Sequence, residues 1–189
     1  MNEIASPMQL RLVFLRWALL LVPLVVLLGF GVSEFSGSGE DNRWFQALEK
    51  PAIQPPGWAF GAAWSVLYVM MGLALTVVVT ARGARLRGLA IVLFFIQLGL
   101  NLAWPIYFFG MHQVTGGFYL LLGVLAAAFV TTMVFGRVRA LAAWLMVPYL
   151  AWLCFAAVLN KQFDQLNPDA ETLVVPREGQ RIQLAPPTP

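Results

Sequence analysis

Hydrophobic residues in this chain come in long unbroken blocks, not in the short alternations of a half-buried sheet. No Asp, Glu, Lys or Arg occurs in residues 17–33, 51–81, 88–136 or 140–160. A helix needs about 20 apolar residues to cross a bilayer, so these blocks predict membrane spans. The first span is predicted over 12–32, with Arg16 snorkelling to the interface. The block at 51–81 opens on Pro51, Pro55, Pro56 and Gly57, which cannot be regular helix, so the second span is placed at 58–81. The longest block holds two spans, 88–110 and 114–136, broken at the polar and glycine-rich 110–117. A fifth span covers 140–160. The expected fold class is therefore an all-α integral membrane protein, a five-transmembrane-helix bundle. Residues 1–11 form an N-terminal segment, 33–57 the longest connector, and 161–189 a polar, proline-containing tail expected to be partly disordered. The first apolar run is longer than a secretory h-region of about 7–15 residues and lacks a clear small-x-small boundary, so it is read as retained.

Composition agrees. The chain is 60% apolar and 11% charged, with mean hydropathy +0.76, against roughly 25% charged in soluble domains. The cations mark topology, not nucleic acid. Arg11, Arg16, Arg82, Arg85, Arg87, Arg137 and Arg139 fall on one side of a five-span bundle, opposed only by Glu3. Glu34, Glu40, Asp41 and Glu49 fall on the other, with Arg43 and Lys50. The positive-inside rule then places the N-terminus inside and the C-terminus outside, as in a bacterial inner membrane. The 33–57 loop lies outside, and long connectors of this kind often serve as lids or binding loops.

Polar and aromatic residues inside the spans are the candidates for function, because hydrocarbon supplies no partner for a polar group. Gln97, Asn101 and Trp104 follow i, i+4, i+7 spacing on one helix face. Pro105 cannot donate to the Asn101 carbonyl, which leaves that oxygen free. Trp64, Tyr68 and Gly72 are spaced i, i+4, i+8, as are Trp152, Ala156 and Asn160. Two readings stand for this set: interfacial belts and bundle packing, or the inward wall of a pocket for a flat apolar ligand. Trp152 lies mid-span, which a belt does not explain. Asn160 and Lys161 are read as a helix cap and interfacial anchor, against a site role. Pro23, Pro105 and Pro148 can kink their helices, either to shape a cavity or only for packing. Gly99/Ala103 and Gly123/Ala127 are small-xxx-small pairs that permit close helix contact, within the bundle or across a dimer. Cys154 and His112 are read as structural; His112 could alternatively face a haem at its loop.

No paired carboxylates, nucleophile with a base, or phosphate-binding glycine loop is visible. Cysteine, histidine and carboxylates are too sparse for a metal site. The uncharged spans argue against an ion-coupled pump.

Three motifs carry a resemblance. Lys50-Pro51, then Pro55-Pro56-Gly57-Trp58-Ala59-Phe60 and Trp64-Ser65-Val66-Leu67-Tyr68, resembles the start of the second span in the TspO/MBR family of tryptophan-rich sensory proteins and translocator proteins (peripheral benzodiazepine receptors). Gln97 through Pro105, then Phe108-Phe109-Gly110, is similar to its third span. Val147-Pro148-Tyr149-Leu150-Ala151-Trp152, then Phe155-Ala156 and Leu159-Asn160, is similar to its fifth. The three occur in order from Trp44 to Asn160. The resemblance implies a five-helix bundle, often a homodimer, with a pocket beneath the first long loop. It implies no obligatory cofactor. The ligands it implies are protoporphyrin IX, haem, and sterol-type or synthetic lipophiles. The pocket positions it implies are Trp58, Phe60, Trp64, Tyr68, Asn101, Trp104, Trp152 and Ala156.

Two features depart from the family pattern. Ala52 and Ile53 stand where many bacterial members carry loop tryptophans, which implies looser porphyrin binding or another ligand. Lys161-Gln162-Phe163-Asp164 supplies the basic and aromatic residues of a sterol-recognition segment in a different order. The functions left open are a tetrapyrrole sensor acting under stress, a light- and oxygen-dependent porphyrin-degrading activity with Trp64 and Trp152 as redox pair, and a transporter of small lipophiles. A structural membrane subunit is the plain alternative.

Overall fold

A computed structural model describes residues 6–174. Its helices are α1 (Pro7–Phe35), α2 (Arg43–Ala47), α3 (Gly57–Thr80), α4 (Arg87–Pro105), α5 (Val114–Val138) and α6 (Ala140–Leu166). A π-helical turn, Ile106–Gly110, extends α4. All of these except α2 are long and apolar enough to span a bilayer.

Helix ends depart from the sequence pattern where hydrogen bonding, not hydropathy, decides them. The first helix starts at Pro7, before the expected 12, because a capping box forms there. The Ser6 Oγ accepts from the Gln9 N–H while the Gln9 side chain accepts from the Ser6 N–H. The last helix runs to Leu166, so Asn160 is not its cap. The 33–57 connector contains the five-residue α2, started by the Asn42 side chain accepting from the Phe45 N–H. A further short turn, Ala170–Thr172, lies in the polar tail. The rest of that tail, and its expected disorder, falls outside the described residues.

The long helices close a ring in the order α1, α3, α6, α5, α4, with α4 returning to α1. In lipid the association of helices rests on van der Waals packing and on small residues that let backbones approach. Here that role falls to Gly72 and Gly29. A Cβ on Gly72 would sit 2.7 Å from the Val22 Cα of α1, and one on Gly29 would sit 2.1 Å from the Tyr68 ring. Gly99 and Gly123 instead face open space, so their small-residue pairs do not serve packing within the bundle. Threonine hydroxyls inside the spans bond back along their own helices: Thr76, Thr131 and Thr132 each donate to a carbonyl four residues back, and Thr131 also reaches the Leu93 carbonyl of α4.

At the end bearing the 82–87 and 137–139 loops the interior is filled by Leu75, Val78, Ala90, Phe94, Phe135 and Ala142. Phe94 and Phe135 stack 6.0 Å apart. Arg87 Nε donates to the Val79 carbonyl, closing the end of α3. The opposite end is built of rings, and there the bundle holds a cavity.

Candidate ligand-binding site

The cavity has a volume of about 490 Å³ and lies under the 33–57 loop between α1, α3, α4 and α6. All eight positions named from sequence line it: Trp58, Phe60, Trp64, Tyr68, Asn101, Trp104, Trp152 and Ala156. They reach it because each helix repeats an inward position every three or four residues. From α3 come Trp58 at the rim, 76% exposed, then Phe60, Trp64 and Tyr68 at increasing depth. Trp64 stacks on Tyr68 at 5.0 Å and meets Trp152 edge-on at 6.3 Å. Phe60 meets Trp152 at 5.7 Å from the other side. Ala156, one turn beyond Trp152, leaves room where a larger side chain would fill the space.

The deep end is polar and paired. Tyr68 donates its hydroxyl to Asn101 Oδ1 at 3.3 Å, and Asn101 is buried. Trp104 donates its indole N–H to the Gly117 carbonyl on α5 at 3.1 Å, which fixes the ring as a wall. Beyond Pro105 the α-helical register gives way to the π turn, with the Met111 N–H donating to the Ile106 carbonyl. Such turns insert one extra residue and re-aim side chains. This one brings Phe108 into parallel stacking on Trp104 at 5.0 Å and turns Phe109 to the cavity as well.

Other sequence candidates lie elsewhere. Gln97 shares the Asn101 face but is buried outside the cavity lining, and neither of its amide atoms has a partner among the described residues. Gly72 serves the α1–α3 contact. Asn160, expected as a cap, lines the cavity and donates Nδ2 to the Val114 carbonyl at 3.0 Å, joining α6 to the start of α5. Lys161 pairs with Asp164 at 2.7 Å. His112 stacks on Trp44 at 4.5 Å in a positive-φ turn and is not in the lining; burial lowers its pKa. Cys154 is on the outer surface. Ala52 and Ile53 occupy an exposed turn outside the lining.

Sequence reasoning expected the loop over the pocket but named no lining residue in it, and it missed the contribution of α1. Phe30 and Gly29 line the cavity from α1, and Glu40, Asp41 and Gln54 line it from the loop. Phe30 sat in an apolar run with no distinguishing signal. Glu40 is different: α3 begins on Gly57 with no side-chain cap of its own. The Glu40 carboxylate supplies one from the loop, accepting the Gly57 N–H at 2.9 Å. A Cβ on Gly57 would lie 2.4 Å from the Glu40 carboxyl carbon, so glycine is what lets the carboxylate reach the helix end. Lys50 donates to the Phe45 carbonyl and sets its ammonium 3.3 Å from the centre of the Phe45 ring. The residue as a whole is exposed, but partial burial of its ammonium desolvates it, and the pKa falls to about 8 despite the opposing pull of Glu40.

The fold and cavity define a multi-pass integral membrane protein with an aromatic-walled pocket at one end of its bundle. The chain belongs to the TspO/MBR family, which its residues 20–166 match. It is 37% identical over 150 residues to the tryptophan-rich protein TspO of Chlorobaculum tepidum, covering 79% of this chain and 94% of that one. It is 41% identical over 124 residues to the human translocator protein, covering 65% and 73%. With the protein CrtK of Rhodobacter capsulatus it shares 33% over 135 residues, covering 71% and 84%.

Proposed function

We propose that this protein is a membrane receptor that binds a flat lipophile of the tetrapyrrole class, protoporphyrin IX or haem, in the cavity beneath the 33–57 loop. The observation that carries the reading is the convergence of Trp64, Trp152, Phe60 and Trp104 on one space of about 490 Å³. That volume is in the range of small-molecule pockets. Edge-on and stacked rings around it offer flat faces to a planar ligand. With the N-terminus inside, the cavity opens to the outer face, the periplasmic side of a bacterial inner membrane. The reading includes a homodimer. Gly99 and Gly123 face away from the bundle and are where a second copy can approach.

The test is a tryptophan-fluorescence titration of the detergent-purified protein with protoporphyrin IX in the dark. Saturable quenching near one ligand per chain, weakened by Trp152→Ala or Asn101→Ala, is expected. Quenching that never saturates would sink the reading.

One observation favours a second activity at the same site. The Trp64 and Trp152 rings are in edge contact at 6.3 Å and both face the cavity, so either indole can donate an electron to a photoexcited ring. Light- and oxygen-dependent loss of porphyrin absorbance is then expected, and it should vanish in Trp64→Phe/Trp152→Phe while binding persists. Undiminished degradation in that variant would exclude the pair.

A further inference from the structure

Charge divides this molecule as sharply as packing does. Among the described residues, the end opposite the cavity carries seven arginines and no Asp or Glu, while the cavity end carries seven carboxylates and three cations. Lys50 and Lys161 both lie at the cavity end, so every cation of the opposite end is a guanidinium. Topology asks only for positive charge and treats lysine and arginine alike. Several of these arginines also share one depth. The Thr131 hydroxyl donates to the Leu93 carbonyl and sets α5 in register with α4. Arg87 lies six residues before Leu93, and Arg137 lies six after Thr131. At 1.5 Å per residue both stand about 9 Å beyond that bond. Arg139 is the single residue between α5 and α6, and Arg82 and Arg85 occupy the turn that leads into α4. Arg87 gives its Nε to the Val79 carbonyl, and Arg139 gives one terminal nitrogen to the neighbouring Val138 carbonyl. Arg82, Arg85 and Arg137 are exposed and have no partner among the described residues. A second feature marks the depth. Leu141 and Trp144, 60% and 71% exposed, share an outer face of the first turns of α6. Exposed tryptophans at span ends sit at the headgroup level of a bilayer, and Trp144 is five residues, or about 7.5 Å, from Arg139. The guanidinium groups therefore project from the level where headgroup phosphates lie.

We propose that this end of the bundle is a binding surface for an anionic phospholipid, with Arg87, Arg137 and Arg139 receiving the headgroup phosphate and Leu141 and Trp144 lying along the acyl chains. A guanidinium offers a phosphate two parallel N–H bonds, whereas an ammonium acts as a point charge. With no carboxylate beside them among the described residues, these arginines keep that fork open. Each cation near an anionic membrane surface is worth about 5-fold in affinity. A zwitterionic headgroup offsets its phosphate with its own ammonium and gains little from the cluster. The surface lies at the far end of the bundle from the cavity, so it stands or falls independently of the tetrapyrrole reading.

The experiment is native mass spectrometry of the full chain in neutral detergent at low ionic strength. The probes are phosphatidylglycerol, cardiolipin, phosphatidylcholine and inorganic phosphate. Saturable retention of both anionic lipids is expected, tighter for the two phosphates of cardiolipin, with phosphatidylcholine weaker than either. Arg137→Gln/Arg139→Gln should weaken phosphatidylglycerol about 25-fold, the product of two such cations. Lys161→Gln, which removes a cation from the cavity end, should leave retention unchanged. Both arginines are exposed, so the double variant should melt with the unaltered protein when no lipid is added. Arg137→Lys/Arg139→Lys keeps the charge and should lose only part of the affinity. Phosphatidylcholine held as tightly as phosphatidylglycerol would overturn the proposal, as would a glutamine variant that binds undiminished. A lysine variant with full affinity would also overturn it, by reducing the site to diffuse charge. Displacement of the lipid by inorganic phosphate would identify a site for free phosphate and overturn the assignment to lipid.

Discussion

The two ends of this bundle are built from the same helices but solve different problems. Toward the 82–87 and 137–139 loops, small and branched side chains and the Phe94–Phe135 stack pack the interior, with each of Leu75, Val78, Ala90, Phe94, Phe135 and Ala142 fully buried. Toward the 33–57 loop the interior positions carry tryptophan, tyrosine and phenylalanine, and the rings meet edge-on instead of closing the space. Large flat side chains that meet edge-on leave a cavity there. That end spends packing on holding a ligand, the other on holding the helices.

Truncation should separate the two ends. The largest effect is expected at the filled end. Phe135→Ala removes a fully buried ring between α4 and α5 and should destabilise by about 2–3 kcal/mol, because the packing lost in a cavity is not restored by lipid. Thermal unfolding in detergent checks it, with porphyrin affinity unchanged. At the boundary, Gly29→Ala sets a methyl against the Tyr68 ring. The ring must turn, weakening its bond to Asn101, at a cost of about 1–2 kcal/mol. Here both stability and quenching should change, which neither end alone predicts. At the cavity end, Trp152→Ala should lower ligand affinity about 10-fold, or about 1.4 kcal/mol, through lost ring contact. Its melting temperature should fall by less than that of Phe135→Ala, and a larger fall would erase the distinction between the ends.

The smallest effect concerns the loop. Lys50 has a folded pKa of about 8 against 10.5 for the ordinary group, so between those values the unfolded chain holds more proton than the folded one. Stability then rises as pH increases through about 8 to 10.5, and below about 8 the burden of the charged ammonium is present in full. The side chain is largely exposed, so the slope is small. Unfolding measured from pH 7 to 10.5 should show it, and Lys50→Met should remove it.

Much of this was legible from one dimension. Uncharged blocks count spans because a bilayer admits few charges, and arginine placement orients them. The i, i+4 spacing of Trp64 with Tyr68, and of Trp152 with Ala156, places residues on one face of a helix, since helical periodicity is local. Family motifs named Trp58 and Phe60 at the loop junction. What no local rule reached was contact between distant segments. Asn160 looked like a cap, because hydropathy drops at Lys161; its role as a link from α6 to Val114 depends on α5 lying beside it. Glu40 read as a loop charge until the fold set it against the Gly57 N–H. Gly99 and Gly123 matched a packing motif but face outward, whereas Gly29 and Gly72, with no more local signal, carry the close approach. Sequence by itself determined the number of spans and the inward faces of their helices, because those follow from side-chain transfer into lipid and from the helical repeat. Only the tertiary structure decided which faces meet, and so where α1 and the loop complete the cavity, because that depends on packing among all five spans at once.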